Sequence, residues 1–185
     1  LEARLNAFFD FKMSGMFVCM VAEVLNTSKL EQCRIDVKPI VNHEYKDSTV
    51  VEYPAILSVP VQFPSSSTSA LTFPINQGDN VLLVFSQKGL DVFKSGATSA
   101  HDPIDMRSFD KRDAIAIPCV NPFSKSINNP DTRTLTHSVD DMVMTHNIGK
   151  DNECEVRLTS GGEVKITGVH TKISDSLATG GGVVV

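Results

Sequence analysis

Tryptophan is absent from this chain, and tyrosine occurs twice in 185 residues. Proteins that grip single-stranded bases across an open surface lean on stacking rings, so this scarcity argues against such a platform, while sugar binding is less easily excluded. Positive charge is short as well. Seventeen Lys and Arg face 22 Asp and Glu, a net charge of −5. An acidic chain is not drawn to a phosphate backbone, and stable nucleic-acid binding is not expected. Cysteine is sparse: Cys19, Cys33, Cys119 and Cys154 form neither a CxxC pair nor a zinc-knuckle spacing. They read as reduced, mostly buried thiols of a protein folded in a cytoplasm.

Long apolar runs are missing too. Met16 to Leu25, the most apolar N-terminal stretch, is too short to span a bilayer and contains Glu23. Glu2 and Asp10 precede it without a basic segment, unlike a signal peptide. There is no Gly-x-Ser-x-Gly elbow, no HExxH and no phosphate loop. The histidines are His43, His101, His137, His146 and His170. Only His101-Asp102 hints at a base with its orienter, and adjacent residues rarely converge in that way. An enzyme is therefore not expected.

What the chain does have is a series of apolar segments of strand length. At 185 residues it is long enough for one ample domain, or for one domain plus an extension, and its hydrophobic content of 41% is ordinary for a globular protein. Glu2 to Lys12 predicts a short helix with Leu5, Phe8 and Phe9 on one stripe, packed as a cap on a barrel and ended by Ser14-Gly15. Met16 to Leu25 predicts a strand paired with Gln32 to Val41. There Cys33, Ile35 and Val37 alternate with Arg34, Asp36 and Lys38. His43 to Ser48 reads as a polar loop. Further strands are expected near 50–63, 71–74, 80–86 and 113–117. Pro54, Pro60 and Pro64 cannot donate to a ladder, so 53–64 should be an edge strand or one broken by bulges. Gly78-Asp79-Asn80 suits a tight turn into Val81 to Phe85, a continuous apolar run of the kind buried on both faces. Phe93 to Lys111 should be a long, partly helical connection. Five main strands in this order suit a closed or partly open Greek-key barrel of the OB type, with Ile56, Val59, Val81, Leu83, Phe85, Ile115 and Ile117 in its core.

The organisation expected is an N-terminal helix or arm over 1–15, a barrel over 16–122, a linker over 123–135 and a second region over 136–185. In that region Glu155-Val156-Arg157-Leu158-Thr159 is followed eight residues later by Glu163-Val164-Lys165-Ile166-Thr167. Apolar and charged residues alternate, and one copy buries only one face. Either the two copies fold back as a hairpin around Gly161-Gly162, or copies from several chains supply the missing faces. The last residues, from Ala178 through Gly180-Gly181-Gly182 to Val183-Val184-Val185, are small and apolar. They suit a frayed tail or a narrow tip where chains converge.

One resemblance goes further. Pro54-Ala55-Ile56-Leu57, Val59-Pro60-Val61 and Phe63-Pro64 come first. Leu71-Thr72-Phe73-Pro74-Ile75, Gly78-Asp79 and Val81-Leu82-Leu83-Val84-Phe85-Ser86 come next, then Leu90-Asp91 and Asp113-Ala114-Ile115-Ala116-Ile117-Pro118. In this order, across residues 14 to 123, they resemble the N-terminal domain of contractile-tail phage central-spike proteins. The resemblance implies an OB-fold barrel, a homotrimer and a mechanical role at the tip of the tail baseplate. The partners would be a baseplate hub or tail-tube protein and, transiently, the host outer envelope. It also implies an intertwined C-terminal β-prism or triple-stranded β-helix, with Val156, Leu158, Val164, Ile166 and Ile173 in its core. Spike relatives can hold an iron ion at the tip through a His-x-His pair from each chain. Here Val169-His170-Thr171-Lys172 offers only His170. Three copies of it would supply three nitrogens, but a surface histidine is the preferred reading, and no cofactor is expected. The alternative function is an OB-type module that binds an oligosaccharide or single-stranded nucleic acid.

Overall fold

The structure is a computed structural model and describes residues 2–45, 47–118, 120–122, 140–148 and 150–169. The chain divides into two compact units, Leu1–Val120 and Asn121–Val185.

The first unit opens with α1 (Glu2–Ser14). Five strands then build one sheet: β1 (Cys19–Asn26), β2 (Arg34–Pro39), β5 (Ile56–Pro60), β6 (Asn80–Phe85) and β7 (Ala114–Pro118), in the order β5-β2-β1-β6-β7. A two-stranded hairpin, β3 (His43–Glu44) and β4 (Val50–Val51), lies between β2 and β5. All pairings within the five-stranded sheet are antiparallel. The sheet curls into a half-barrel. Just past β5, Val61 makes a parallel bridge to Ala116 of β7, and the Gln62 amide donates to the Ala116 carbonyl at 2.8 Å.

Strand alternation decides what the curl encloses. Ala22 and Val24, Ile35 and Val37, Val59, Val81, Leu83 and Phe85, and Ala114 and Ala116 all turn inward, joined by Val61, Phe63 and Ile75. Alanines on β1 and β7 leave room for the larger side chains opposite, which is how a tightly curved sheet fills its interior.

Several expectations are corrected. The run in β6 is not buried on both faces: Val81, Leu83 and Phe85 are inside, while Val84 is exposed on the outer face. The Leu5, Phe8 and Phe9 stripe of α1 does not cap the sheet, since all three stand exposed. No strand forms over 71–74. Phe73 instead packs its ring edge-on against Phe63, with centroids 5.3 Å apart. Pro74 in that stretch has no amide to give a ladder. The polar stretch 43–48 is not simply a loop but contains β3 and the turn to β4. Cys19, Cys33 and Cys154 are free but exposed rather than buried. Cys119 lies outside the described residues.

The prolines of 53–64 do coincide with a broken edge. The β2–β5 register shifts between Ile35 and Val37, and Ser58 in mid-strand takes a left-handed φ of 55°. The Ser58 amide donates to the Asp36 Oδ1 at 2.8 Å, so a donor displaced from the ladder by the bulge finds a side-chain partner.

The second unit contains one three-stranded antiparallel sheet, β8 (Met142–His146), β9 (Cys154–Leu158) and β10 (Val164–Thr167), in the order β10-β9-β8. Within the single chain the two copies of the eight-residue repeat thus fold back on each other as a hairpin. The linker expected over 123–135 and the residues from His170 to Val185 lie outside the described residues.

Candidate functional site

The second unit owes its character to period-two alternation. Even-numbered positions of β8 and β9 carry Met142, Met144, Val156 and Leu158, and β10 adds Val164 and Ile166. The pairing sets these six in two rows across the sheet. Met142 faces Leu158 and Leu158 faces Val164; Met144 faces Val156 and Val156 faces Ile166. Directly paired residues share a face, so one side of the sheet is a continuous apolar patch. All six side chains are 39 to 69% exposed.

The opposite side is mostly polar, with Val143 among Thr145, Glu155, Arg157 and Lys165, and on β8 and β9 it is better covered. Arg157 is central there. Its Nε donates to Glu155 Oε1 at 2.7 Å, its Nη2 to Glu155 Oε2 at 3.1 Å and its Nη1 to Asp141 Oδ2 at 2.9 Å. The Ser160 amide also donates to Asp141 Oδ1 at 3.0 Å. Arg157 holds the Glu155 carboxyl below its usual range, and the Ser160 amide followed by Arg157 does the same for Asp141. A sheet standing alone in water keeps its polar face wet and hides its apolar face. Here the polar face is braced by ion pairs and the apolar face is left open.

In the first unit a second cluster pins the long connection from β6 to β7. Arg107 donates from Nε to Asp113 Oδ2 at 2.7 Å and from Nη2 to Asp113 Oδ1 at 2.9 Å, a bidentate pair. Nη1 reaches Asp105 Oδ2 at 2.8 Å, and Nη2 also reaches Asp91. Asp113 is 1% exposed and accepts the Leu90 amide at 2.8 Å as well. A side chain at Gly89 would begin 3.2 Å from the Arg107 guanidinium, so the guanidinium would have to give by a few tenths of an ångström to admit one. The guanidinium holds the Asp113 carboxyl below its ordinary range. Among the described residues no group of three His, Cys, Asp or Glu side chains is arranged to hold a metal ion.

Of the residues named from the sequence, Val156, Leu158, Val164 and Ile166 come together on the open apolar face. Ile173 and His170 lie outside the described residues. Val59, Val81, Leu83 and Phe85 sit in the barrel core, with Ile56 packed at its margin. Ile115 is half-buried and Ile117 exposed, because Ala114 and Ala116 take the inward positions of β7. Met142 and Met144 were not anticipated as members of the apolar face. Their signal was weak, because Met142-Val143-Met144 is a continuous apolar run and lacks the apolar-charged alternation of Val156-Arg157-Leu158. The Arg107 cluster was missed altogether.

The family described as phage protein Gp138 N-terminal domain matches residues 24–119, just over half of the chain. No curated protein matches it.

Proposed function

The chain belongs to the family of the phage protein Gp138 N-terminal domain, and on that premise we propose that it is the trimeric central spike of a phage tail baseplate. The match is with a phage protein family, and a structural role in the virion follows from it at the coarser level. The proposal adds place and action. The first units form a collar seated on a baseplate hub or the end of the tail tube. The second units of three chains wind into a stiff β-prism that points at the host. On contraction the spike is driven through the outer envelope and opens a path for the tube and its DNA. This is work done by rigidity and not by turnover, so no catalytic site is assigned.

The strand order and the Val61–Ala116 bridge support reading the half-barrel as an OB-type fold. The observation that carries the proposal is the open apolar face of β8, β9 and β10. Six apolar side chains in two rows have no reason to face water. Burying each would contribute on the order of 1–2 kcal/mol, and the same face on two further copies of the chain is the occupant that fits. In a threefold ring the contact is heterologous: one part of the patch on each chain meets a different part on the next, and the rotation closes.

Val164 lies in the first row of that face, between solvent on one side and Leu158 on the other. Val164→Asp places a charge in the shared interior once per chain. The wild-type chain should run as a trimer by light scattering behind a sizing column, and Val164→Asp as a monomer. A variant that stays a trimer resistant to mild heating in detergent would remove this face from the interface.

A further inference from the structure

The two tyrosines of the chain, Tyr45 and Tyr53, converge on one cavity of about 230 Å³, with Phe17, His43, Glu52 and Pro54 among its lining. The rings come from three places. Phe17 precedes β1, His43 lies on β3 with Tyr45 just after it, and Tyr53 follows β4. The His43 ring stands 4.5 Å from that of Tyr45 at 84°, and 5.9 Å from that of Tyr53. The Tyr53 hydroxyl lies 3.2 Å from His43 Nδ1. Phe17 contacts Tyr53 at 5.9 Å and core Phe85 at 5.3 Å, which ties the base of the cavity to the barrel. Tyr45 is exposed on the open side.

The chemistry of the lining narrows the ligand. No Lys or Arg lines the cavity, so nothing there would hold a phosphate or carboxylate. Rings with a free carboxylate would suit a quaternary ammonium. Here, however, Glu52 Oε2 is engaged by Lys38 Nζ at 2.5 Å, which cancels the charge such a ligand needs. A paired carboxylate still has lone pairs for hydroxyl donors. Flat apolar walls with hydrogen-bonding tips match a ligand that has a C–H face and a hydroxyl edge. The cavity is smaller than the roughly 300 Å³ at which pockets for drug-sized molecules begin, so it takes one ring.

We infer that this pocket binds a single uncharged pyranose ring, as at the end of a glycan chain, with the sugar's C–H face on Tyr45 and its hydroxyls toward Glu52. The site lies wholly within the first unit and does not rest on the spike assignment.

The absence of tryptophan makes the site self-reporting, since both emitting tyrosines line the pocket. The full-length protein would be titrated with glucose, galactose and N-acetylglucosamine, each alone, and separately with tetramethylammonium and L-proline. At least one sugar should give a saturable change in tyrosine emission, with a Kd of about 1 mM, as befits a ligand of one ring. Calorimetry on Tyr45→Ala should show binding weakened about tenfold or more, with the melting temperature unchanged because Tyr45 is exposed. Glu52→Gln should weaken binding less while leaving the rings in place. Val164→Asp should bind as tightly as wild type whatever its oligomeric state, which separates this site from the proposed trimer. Failure of all three sugars to saturate by roughly 100 mM would overturn the inference. So would saturation by tetramethylammonium or proline alone, the former marking a cation cage and the latter a peptide site.

Discussion

Asp113 is a charged side chain with almost no exposure, and its surroundings explain why it is tolerated. Both carboxylate oxygens accept from Arg107, and Oδ1 also accepts the Leu90 amide. Three donors, two on Oδ1 and one on Oδ2, take the place of the water that burial removes. Asp113 also stands at the start of β7, so it fixes the loop's end against the sheet, while Asp105 and Asp91 gather the rest of the loop to the same guanidinium. Asp113→Asn keeps the shape but loses the charge, and should cost about 2 kcal/mol at pH 7, read from the urea midpoint. The pH dependence comes from the direction of the shift. The Asp113 carboxyl is depressed in the folded state, chiefly by Arg107. Its stabilisation is therefore complete above the unfolded value of about 3.9 and fades as pH falls through the lower folded value. Asp110, held at about 2 by Arg112, acts in the same sense and range. Wild-type stability should thus drop below about pH 4, and the gap between wild type and Asp113→Asn should close over the same range. A gap of constant size down to pH 2 would show that the carboxylate charge is not what stabilises the loop.

At the scale of elements, the turn into β6 shows how little sequence can specify a structure. Gly78 takes a φ of 90°, its amide donates to the Val24 carbonyl at 2.9 Å, and Asp79 Oδ2 accepts the Asn76 amide at 2.7 Å. The turn therefore both reverses the chain and registers β6 against β1. Nothing lies within 4 Å of where a Gly78 side chain would start, so Gly78→Ala tests backbone conformation without a clash. It should lower stability by roughly 1–2 kcal/mol, moving the urea midpoint while leaving the slope unchanged. No shift would mean the turn relaxes freely. Elements like this one were legible because local chemistry and strand period agree: the alternation of β2, the apolar run of β6 and the Gly-Asp turn all name the same structure. Elements were misread where a distant partner decides. Over 71–74 the composition is strand-like, but the ring of Phe73 is claimed by Phe63 and no ladder partner is at hand. Strands β3 and β4 are two residues each, shorter than any period can reveal. The candidate sites divide in the same way. On β9 and β10 the apolar face is written in alternation, and its four residues there were named as a shaft core through the resemblance. The aromatic pocket and the Arg107 cluster join residues 17 to 54 and 91 to 113 through tertiary folding, and no spacing in the sequence marks them.

The two units of the molecule solve the problem of burial differently, and that difference predicts what each does alone. The first encloses its own core: thirteen buried apolar residues are contributed by β1, β2, β5, β6, β7 and the segments beside them. In the second, no described residue is buried, and its three strands present six apolar side chains outward. A three-stranded sheet without a covered face is marginal in water. A fragment ending at Val120 should therefore unfold cooperatively and remain monomeric, while the whole chain assembles. Light scattering and a thermal melt on both species check this. One surface of the first unit argues the other way: Leu5, Phe8, Phe9 and Met13 of α1 are all more than half exposed, a helix with an apolar surface of its own. If the fragment ending at Val120 ran as a trimer, assembly would be carried by the first unit, with α1 the foremost candidate, and the apolar sheet would need another occupant. A monomeric fragment that melts cooperatively beside an oligomeric full chain would place the assembly determinant beyond Val120, where the open face lies.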